Sequence, residues 1–233
     1  MALPPQSDEA FLREVDEELR REQVTHFWRR YGRILVGVVI VGLAIFGGYL
    51  WWQAQREKEA GLAAEKMTGA IEALESGQGA QAEKALGALA MDGSDGYRAA
   101  ARMTLAARKA ERGDTKGAAM DLDAVANDTT LPQPFRDAAL VRSVAVRFDD
   151  APPAQTIERL KPLAVPGNPW FGSAAEMTAA AWLKLGKADK AGPLFAAIAK
   201  DSKLPATLRS RAQRMAGALG IDVAPVAALP GKE

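Results

Sequence analysis

Cysteine is absent from the 233 residues, and histidine occurs once, at His26. The first absence excludes disulfides, thiol catalysis and thiolate metal sites, and it suits a compartment in which stray thiols would oxidise. The second excludes a Ser-His-Asp triad or an HExxH zinc site in the long segment that follows; His26 itself reads as an interfacial residue. Charge of one sign is also lacking. Lys and Arg number 30 against 29 Asp and Glu, and residues 53–233 alone hold 24 against 22. That leaves no cationic excess to neutralise nucleic-acid phosphates. GSDG at Gly93–Gly96 lacks the spacing of a nucleophile elbow, and GDTKG at Gly113–Gly117 lacks that of a phosphate-binding P-loop. Asp121, Asp123 and Asp128 are not followed by the glycine and terminal glutamate of an EF-hand, so they read as solvated helix and turn residues. No cofactor and no metal is implied, and an enzyme is the least supported class of function.

What the sequence does have is one long apolar run. From Ile34 to Trp52 there are nineteen residues without a charge. A secretory signal has a shorter apolar part, about 7–15 residues, and ends in small residues. Here 33 residues precede the run, and Tyr-Leu-Trp-Trp closes it. A buried core helix rarely needs so many uninterrupted apolar residues, whereas a bilayer span needs about 20. Phe27, Trp28 and Tyr31 bracket the run on one side, and Tyr49, Trp51 and Trp52 on the other. From Tyr31 to Tyr49 is roughly 27 Å at 1.5 Å per residue, which suits rings at two membrane interfaces. The run reads as a permanent anchor.

Orientation follows from the basic residues beside the span. Arg20, Arg21, Arg29, Arg30 and Arg33 precede it within fifteen residues, and Arg56, Lys58 and Lys66 follow it. That bias predicts a cytoplasmic N-terminus with residues 53–233 across the membrane. Within the span, only Ala44 and Gly48 have small-xxx-small spacing. Contact with other membrane helices is compatible with this, and no specific homodimer is indicated. The leader reads as a polar helix: Ser7 precedes Asp8 and Glu9 as an N-cap would, and Phe11, Val15 and Leu19 form a narrow apolar stripe. It is either a cytoplasmic docking helix or a helix lying on the membrane surface or frayed in solution.

Beyond the span the chain is alanine-rich and helical in period. One element recurs in it: Gly, four residues, Ala, three residues, a large apolar residue, two residues, another apolar residue. The copies are Gly77, Ala82, Leu86, Leu89; Gly113, Ala118, Leu122, Val125; and Gly186, Ala191, Phe195, Ile198, with a degraded copy at Ala151, Thr156, Leu160, Leu163. Successive copies start 36, 38 and 35 residues apart. Glycine ends a first helix and turns the chain into a second. The alanine falls where the two backbones approach most closely, and the larger residues share one face and fill the space between units. Seven residues before each turn stand Ala70, Ala106, Val144 and Ala179. Such a hairpin must stack on its neighbours to bury its apolar face.

Gly–Ala–Phe at these offsets resembles the tetratricopeptide repeat. The best copy is AAEMTAAAWLKLGKADKAGPLFAAIAKDSKLP, with Trp182, Gly186, Ala191, Phe195 and Pro205. The spacings exceed the usual 34, the early aromatic of the first helix is missing, and Pro162 should end or kink the second helix of the third unit. The expected fold is all-α: an N-terminal helix and a single transmembrane helix, then a solenoid of four irregular helical hairpins with a capping helix near Leu204–Leu219. The expected divisions are a cytoplasmic helix over 1–33, the span over 34–52, a periplasmic repeat domain over 53–220 and a disordered tail over 221–233.

The whole layout, from SDEAFLREVDEELRREQVTHFWRRYGR through the span to NPWFGSAAEM and GKADKAGPLF, is similar to the YfgM-type ancillary subunits of the SecYEG translocon. The resemblance covers residues 7 to about 220. It implies a bacterial inner-membrane protein that associates with the translocon and with a membrane-anchored periplasmic chaperone of the prolyl-isomerase class. An adaptor for another envelope machine, in cell division or outer-membrane assembly, is the alternative. In such a stack the first helices form the concave face where partners dock. By unit position Met103, Arg142 and Met177 should point there, joined by Trp170 and Phe171 at the start of the fourth unit. Methionine adapts to varied apolar ligands. Ordinary core packing is the competing reading for both methionines and for the aromatic pair.

Overall fold

The computed structural model describes the backbone of residues 7–223 and the side chains of residues 31–223. Among the described residues there are nine helices and no strand: α1 (Ser7–Glu75), α2 (Gly79–Asp92), α3 (Asp95–Glu111), α4 (Thr115–Asn127), α5 (Gln133–Val146), α6 (Pro153–Leu160), α7 (Phe171–Lys184), α8 (Ala188–Lys200) and α9 (Ala206–Ala218). The chain divides into two units, Met1–Glu59 and Ala60–Glu233.

The first unit is helical over its described length, with no break between leader and span. Its apolar run is exposed among the described residues: Ile45 is 69% exposed and Phe46 58%. α1 is long and apolar enough to cross a membrane. The Ser7 cap, the leader's apolar stripe and His26 concern side chains outside the described residues.

The second unit starts at Ala60, and residues 53–59 before it are exposed. Four hairpins follow one another, pairing the last turns of α1 with α2, then α3 with α4, α5 with α6 and α7 with α8, and α9 closes the stack. First helices also meet each other, α5 touching both α3 and α7. Four apolar clusters lie along the stack, each drawing on more than one hairpin or on the cap. The first joins Ala63 and Ala70 to Leu86, Leu89 and Ala101. The second gathers Met103, Ala106, Leu122, Val125 and Ala139. The third holds Val141, Val144, Leu160, Leu163 and Ala174. The last packs Phe171, Ala179, Ala191, Phe195 and Ile198 on Ala212 and Ala216 of α9.

The recurring element works as its spacing suggests. Gly77, Gly113 and Gly186 have φ of +78°, +84° and +70°, the left-handed region that a Cβ disfavours. At each, the amide after the glycine donates to the carbonyl five residues back: Gln78 to Ala73, Asp114 to Lys109, Lys187 to Trp182. This is the Schellman termination of a helix. Ala82, Ala118 and Ala191 are fully buried, and Leu86, Leu122 and Phe195 are 3% exposed or less. GDTKG is one of these turns with a cap added. Asp114 accepts from the Gly117 amide at 2.8 Å, and a Cβ on Gly117 would collide with that carboxylate.

The third hairpin departs from the pattern, because Ala151 cannot take the glycine's conformation at low cost. The chain instead makes successive tight turns, with Phe148 donating to Ala145 and both Asp150 and Ala151 to Arg147. Its second helix, α6, stops at Leu160, two residues before Pro162, which has no N–H to continue the helical ladder; Lys161 between them is still in the helical region (φ −48°, ψ −43°). At the far end, Gly220 (φ +78°) repeats the Schellman turn after α9. The chain then folds back: Ile221 packs against the last cluster, Val223 is 7% exposed, and Gln213 Nε2 donates to the Val223 carbonyl at 3.2 Å. Ile221 and Val223 thus pack with the stack. Ile221 fits because position 192 is glycine; a Cβ there would lie 2.5 Å from the Ile221 Cδ1. Residues 224–233 lie outside the described residues.

Linkers between units repeat as well. Asp128-Thr-Thr-Leu-Pro132 and Asp201-Ser-Lys-Leu-Pro205 join α4 to α5 and α8 to α9. In both, the Asp side chain accepts from the amide two residues on at 3.0 Å, and the proline is the N-cap of the next helix. The Thr130 hydroxyl, then its amide, hold the Asp128 carboxyl below its ordinary range, and Arg102 adds to this while burial opposes it. A carboxyl depressed on folding adds stability above its unfolded value, near 3.9, and loses it as pH falls through the folded value. Asp128→Asn should therefore lower the melting temperature at pH 7, with the gap closing below about pH 4. Melting curves of both proteins across that range check it; a gap that stays constant down to the most acid point contradicts the assignment.

Candidate partner-binding surface

The five residues expected on the docking face do not form one surface. Met103 is 6% exposed and sits in the second cluster, between Ala99, Ala106 and Leu122. Phe171 is 1% exposed, among the largest fully buried side chains, and anchors the last cluster. Both side chains are buried in the core. Met103 stands ten residues before its turn, where Arg142 and Met177 stand nine before theirs, and one residue of offset turns it by about 100° into the second cluster.

Arg142, Met177 and Trp170 remain reachable. Arg142 is exposed on α5, its Nη1 lies 4.0 Å from the Met103 sulfur, and it has no carboxylate partner among the described residues. Met177 and Trp170 are half-buried and pack on the cluster of Val141, Val144 and Leu160. Trp170 reaches the second cluster too, so it bridges the second and third apolar clusters while its neighbour Phe171 turns forward into the fourth unit. The turn is set by Asn168, whose side chain accepts from the Trp170 amide at 2.8 Å and whose carbonyl accepts from Phe171. The tryptophan is thus half a packing pin and half a surface.

Other exposed groups carry no signal in the sequence. Met91 (79% exposed) and Met120 (71%) are the most exposed large apolar side chains of the repeat unit, and both lie on second helices. Nothing in the repeat signature marks them, since they fall outside its fixed offsets. The three aspartates that might have suggested calcium are spent on separate partners: Asp121 on Lys109 at 2.6 Å, Asp123 on Arg147 and Arg159, Asp128 on Arg102 and Thr130. Ion pairs also tie unit to unit. Glu83 of α2 meets Arg108 and Arg112 of α3, Asp149 meets Lys184 at 3.1 Å, and Glu176 of α7 takes Arg211 of α9 in a two-point pairing.

On the anchor, Arg56 lies over the Trp52 ring at 4.0 Å and Tyr49 lies 6.4 Å from Trp52, ring centre to ring centre. These groups stand where the apolar run ends.

No curated protein and no solved structure gave a match. Residues 25–207, which take in the apolar run and all four hairpins, match the tetratricopeptide repeat-like domain. With stacked hairpins, glycine turns and buried alanines at the repeat offsets, the chain belongs to the tetratricopeptide repeat-like family.

Proposed function

We propose that the protein is a membrane-anchored scaffold of the bacterial inner membrane. Its N-terminus lies in the cytoplasm and its repeat domain in the periplasm, where it serves as an ancillary subunit of the Sec translocon and links it to a membrane-anchored chaperone. The observation that carries this reading is a protein-binding repeat unit on the same chain as an exposed apolar helix. Repeat domains of this kind work as adaptors and not as catalysts. The order of leader, span and degenerate repeats supports the translocon as the machine served, through the family resemblance of residues 7 to about 220. The mechanism is local concentration: confining two weakly interacting proteins to one membrane raises their effective concentration without any new contact.

Affinity purification from solubilised membranes, with partners identified by mass spectrometry, tests the reading. Translocon subunits should be recovered. Cell-division or outer-membrane assembly proteins in their place would move the scaffold to another envelope machine. Topology has its own test. A reporter that fluoresces only in the cytoplasm, fused after Glu233, should stay dark, because five basic residues precede the span against three after it. Bright full-length fusions would overturn the orientation and the periplasmic assignment with it.

A further inference from the structure

Among the second helices of the four hairpins, α6 is the shortest, with eight residues where α2, α4 and α8 have thirteen or fourteen. It buries two side chains, Thr156 and Leu160, whereas α8 buries six, among them Phe195 and Ile198. Proline stands at both of its ends, Pro152 and Pro153 before it and Pro162 after it. Proline has no N–H, so the helical ladder does not run on into the neighbouring segments. The chain enters α6 through the glycine-free turn at 147–151 and leaves it through Gly167, whose φ is +91°.

One carboxylate fastens α6 to the stack. Asp123 of α4 accepts from Arg159 of α6, from Arg147 just past α5 at 2.9 Å, and from the fully buried Ser143 of α5. The pair of Arg159 with Asp123 is the one ion pair among the described residues that joins α6 to another helix; Glu158 and Lys161 pair within the segment. Under α6 lie Val141 and Val144 of α5 and Ala174 of α7, all buried, and Leu160 and Leu163 complete the cluster from the α6 side. α5 and α7 also touch each other directly, so the stack stays continuous through its first helices without α6.

We propose that residues 152–164 form a strap over this apolar strip, which lifts and recloses as one unit while the other hairpins stay folded, with Asp123 as its latch. The free energy of a local opening grows with the apolar surface and the hydrogen bonds given up, so a short helix bounded by prolines opens far below global unfolding. Lifting uncovers Val141, Val144 and Ala174 next to Met177 and Trp170, which already pack half-buried on the same cluster. The strap therefore controls how much apolar surface the third and fourth hairpins present.

The chain has no cysteine, so a single introduced thiol reports alone. Ala174→Cys and Ala175→Cys, each in the full chain in lipid nanodiscs, are reacted with an aromatic disulfide reagent under native conditions. Neither alanine has exposed surface, but Ala174 belongs to the cluster under α6 and Ala175 to the last cluster. Ala174→Cys should react at least about tenfold faster, because its labelling needs only the strap to lift. Arg159→Gln cuts the α6 side of the latch and leaves Asp123 with Arg147 and Ser143. Added to each thiol variant, it should speed Ala174→Cys by about fivefold and leave Ala175→Cys unchanged. Hydrogen exchange of the unsubstituted chain reads the same opening without a thiol: the amides of 157–161 should exchange at least about tenfold faster than those inside α4 and α8. Equal thiol rates, or α6 amides as protected as those of α8, would overturn the strap. An Arg159→Gln effect that is absent, or equal at the two thiols, would overturn the latch.

Discussion

Ala191→Trp should destabilise the repeat domain by about 1–3 kcal/mol, while Lys187→Ala should change it by less than about 0.5 kcal/mol. Four residues separate the two positions, and their surroundings differ completely. Ala191 has no exposed surface and lies in the cluster with Ala175, Ala179 and Phe195, where α7 and α8 pack most closely. An indole there must push apart helices packed at crystal-like density. Lys187 is the exposed N-cap of α8, with its ammonium 5.3 Å from the Trp182 ring centre, a contact worth little in water. In a domain of this size each kcal/mol moves the melting temperature by roughly 2–4 °C. Thermal melts of the released 56–233 fragment read the difference. Equal melting temperatures for the two variants would show that the repeat register is misassigned.

The second large effect concerns the anchor. Three forms expressed at matched levels, the full chain, the released 56–233 fragment and that fragment on an unrelated single span, should crosslink to translocon subunits strongly, weakly and to an intermediate degree. Confinement to a membrane supplies effective concentrations far above those of a released domain, so the released form should lose at least about tenfold. The surface favours this outcome. It has no excess charge to steer a partner from a distance, and the groove residues left exposed are few: Arg142, with Met177 and Trp170 half-buried. Full crosslinking by the released fragment would remove confinement from the mechanism. No recovery on the foreign span would place the decisive contacts in residues 1–55.

Features that depend on local chain geometry are legible in the order of the residues. Gly77, Gly113 and Gly186 mark left-handed turns because only glycine enters that region freely, and Pro162 limits α6 because it has no N–H to donate. The buried alanines follow from the same register. The Asp-x-x-Leu-Pro linkers are legible too, as two copies 73 residues apart, 128 to 201, but they lie outside the offsets that define the repeat. The glycine-free turn after α5 is not, since Ala151 keeps the spacing of the element without its conformational reason.

Sequence alone determined the class of helix, the apolar anchor, the number of hairpins and which small residues sit between paired helices, because each follows from periodicity and from the backbone freedom of single residues. Tertiary structure decided which way a side chain in a first helix faces. Met103 and Phe171 went inward, Arg142 outward, and Trp170 became a bridge between clusters. It also decided that Ile221 closes over Gly192, and that Arg147, Arg159 and Asp123, up to 36 residues apart, meet as one ion-pair group. These outcomes depend on the distances and rotations between neighbouring hairpins. Such quantities are fixed by the packing of whole helix faces and not by the spacing of residues along one chain segment.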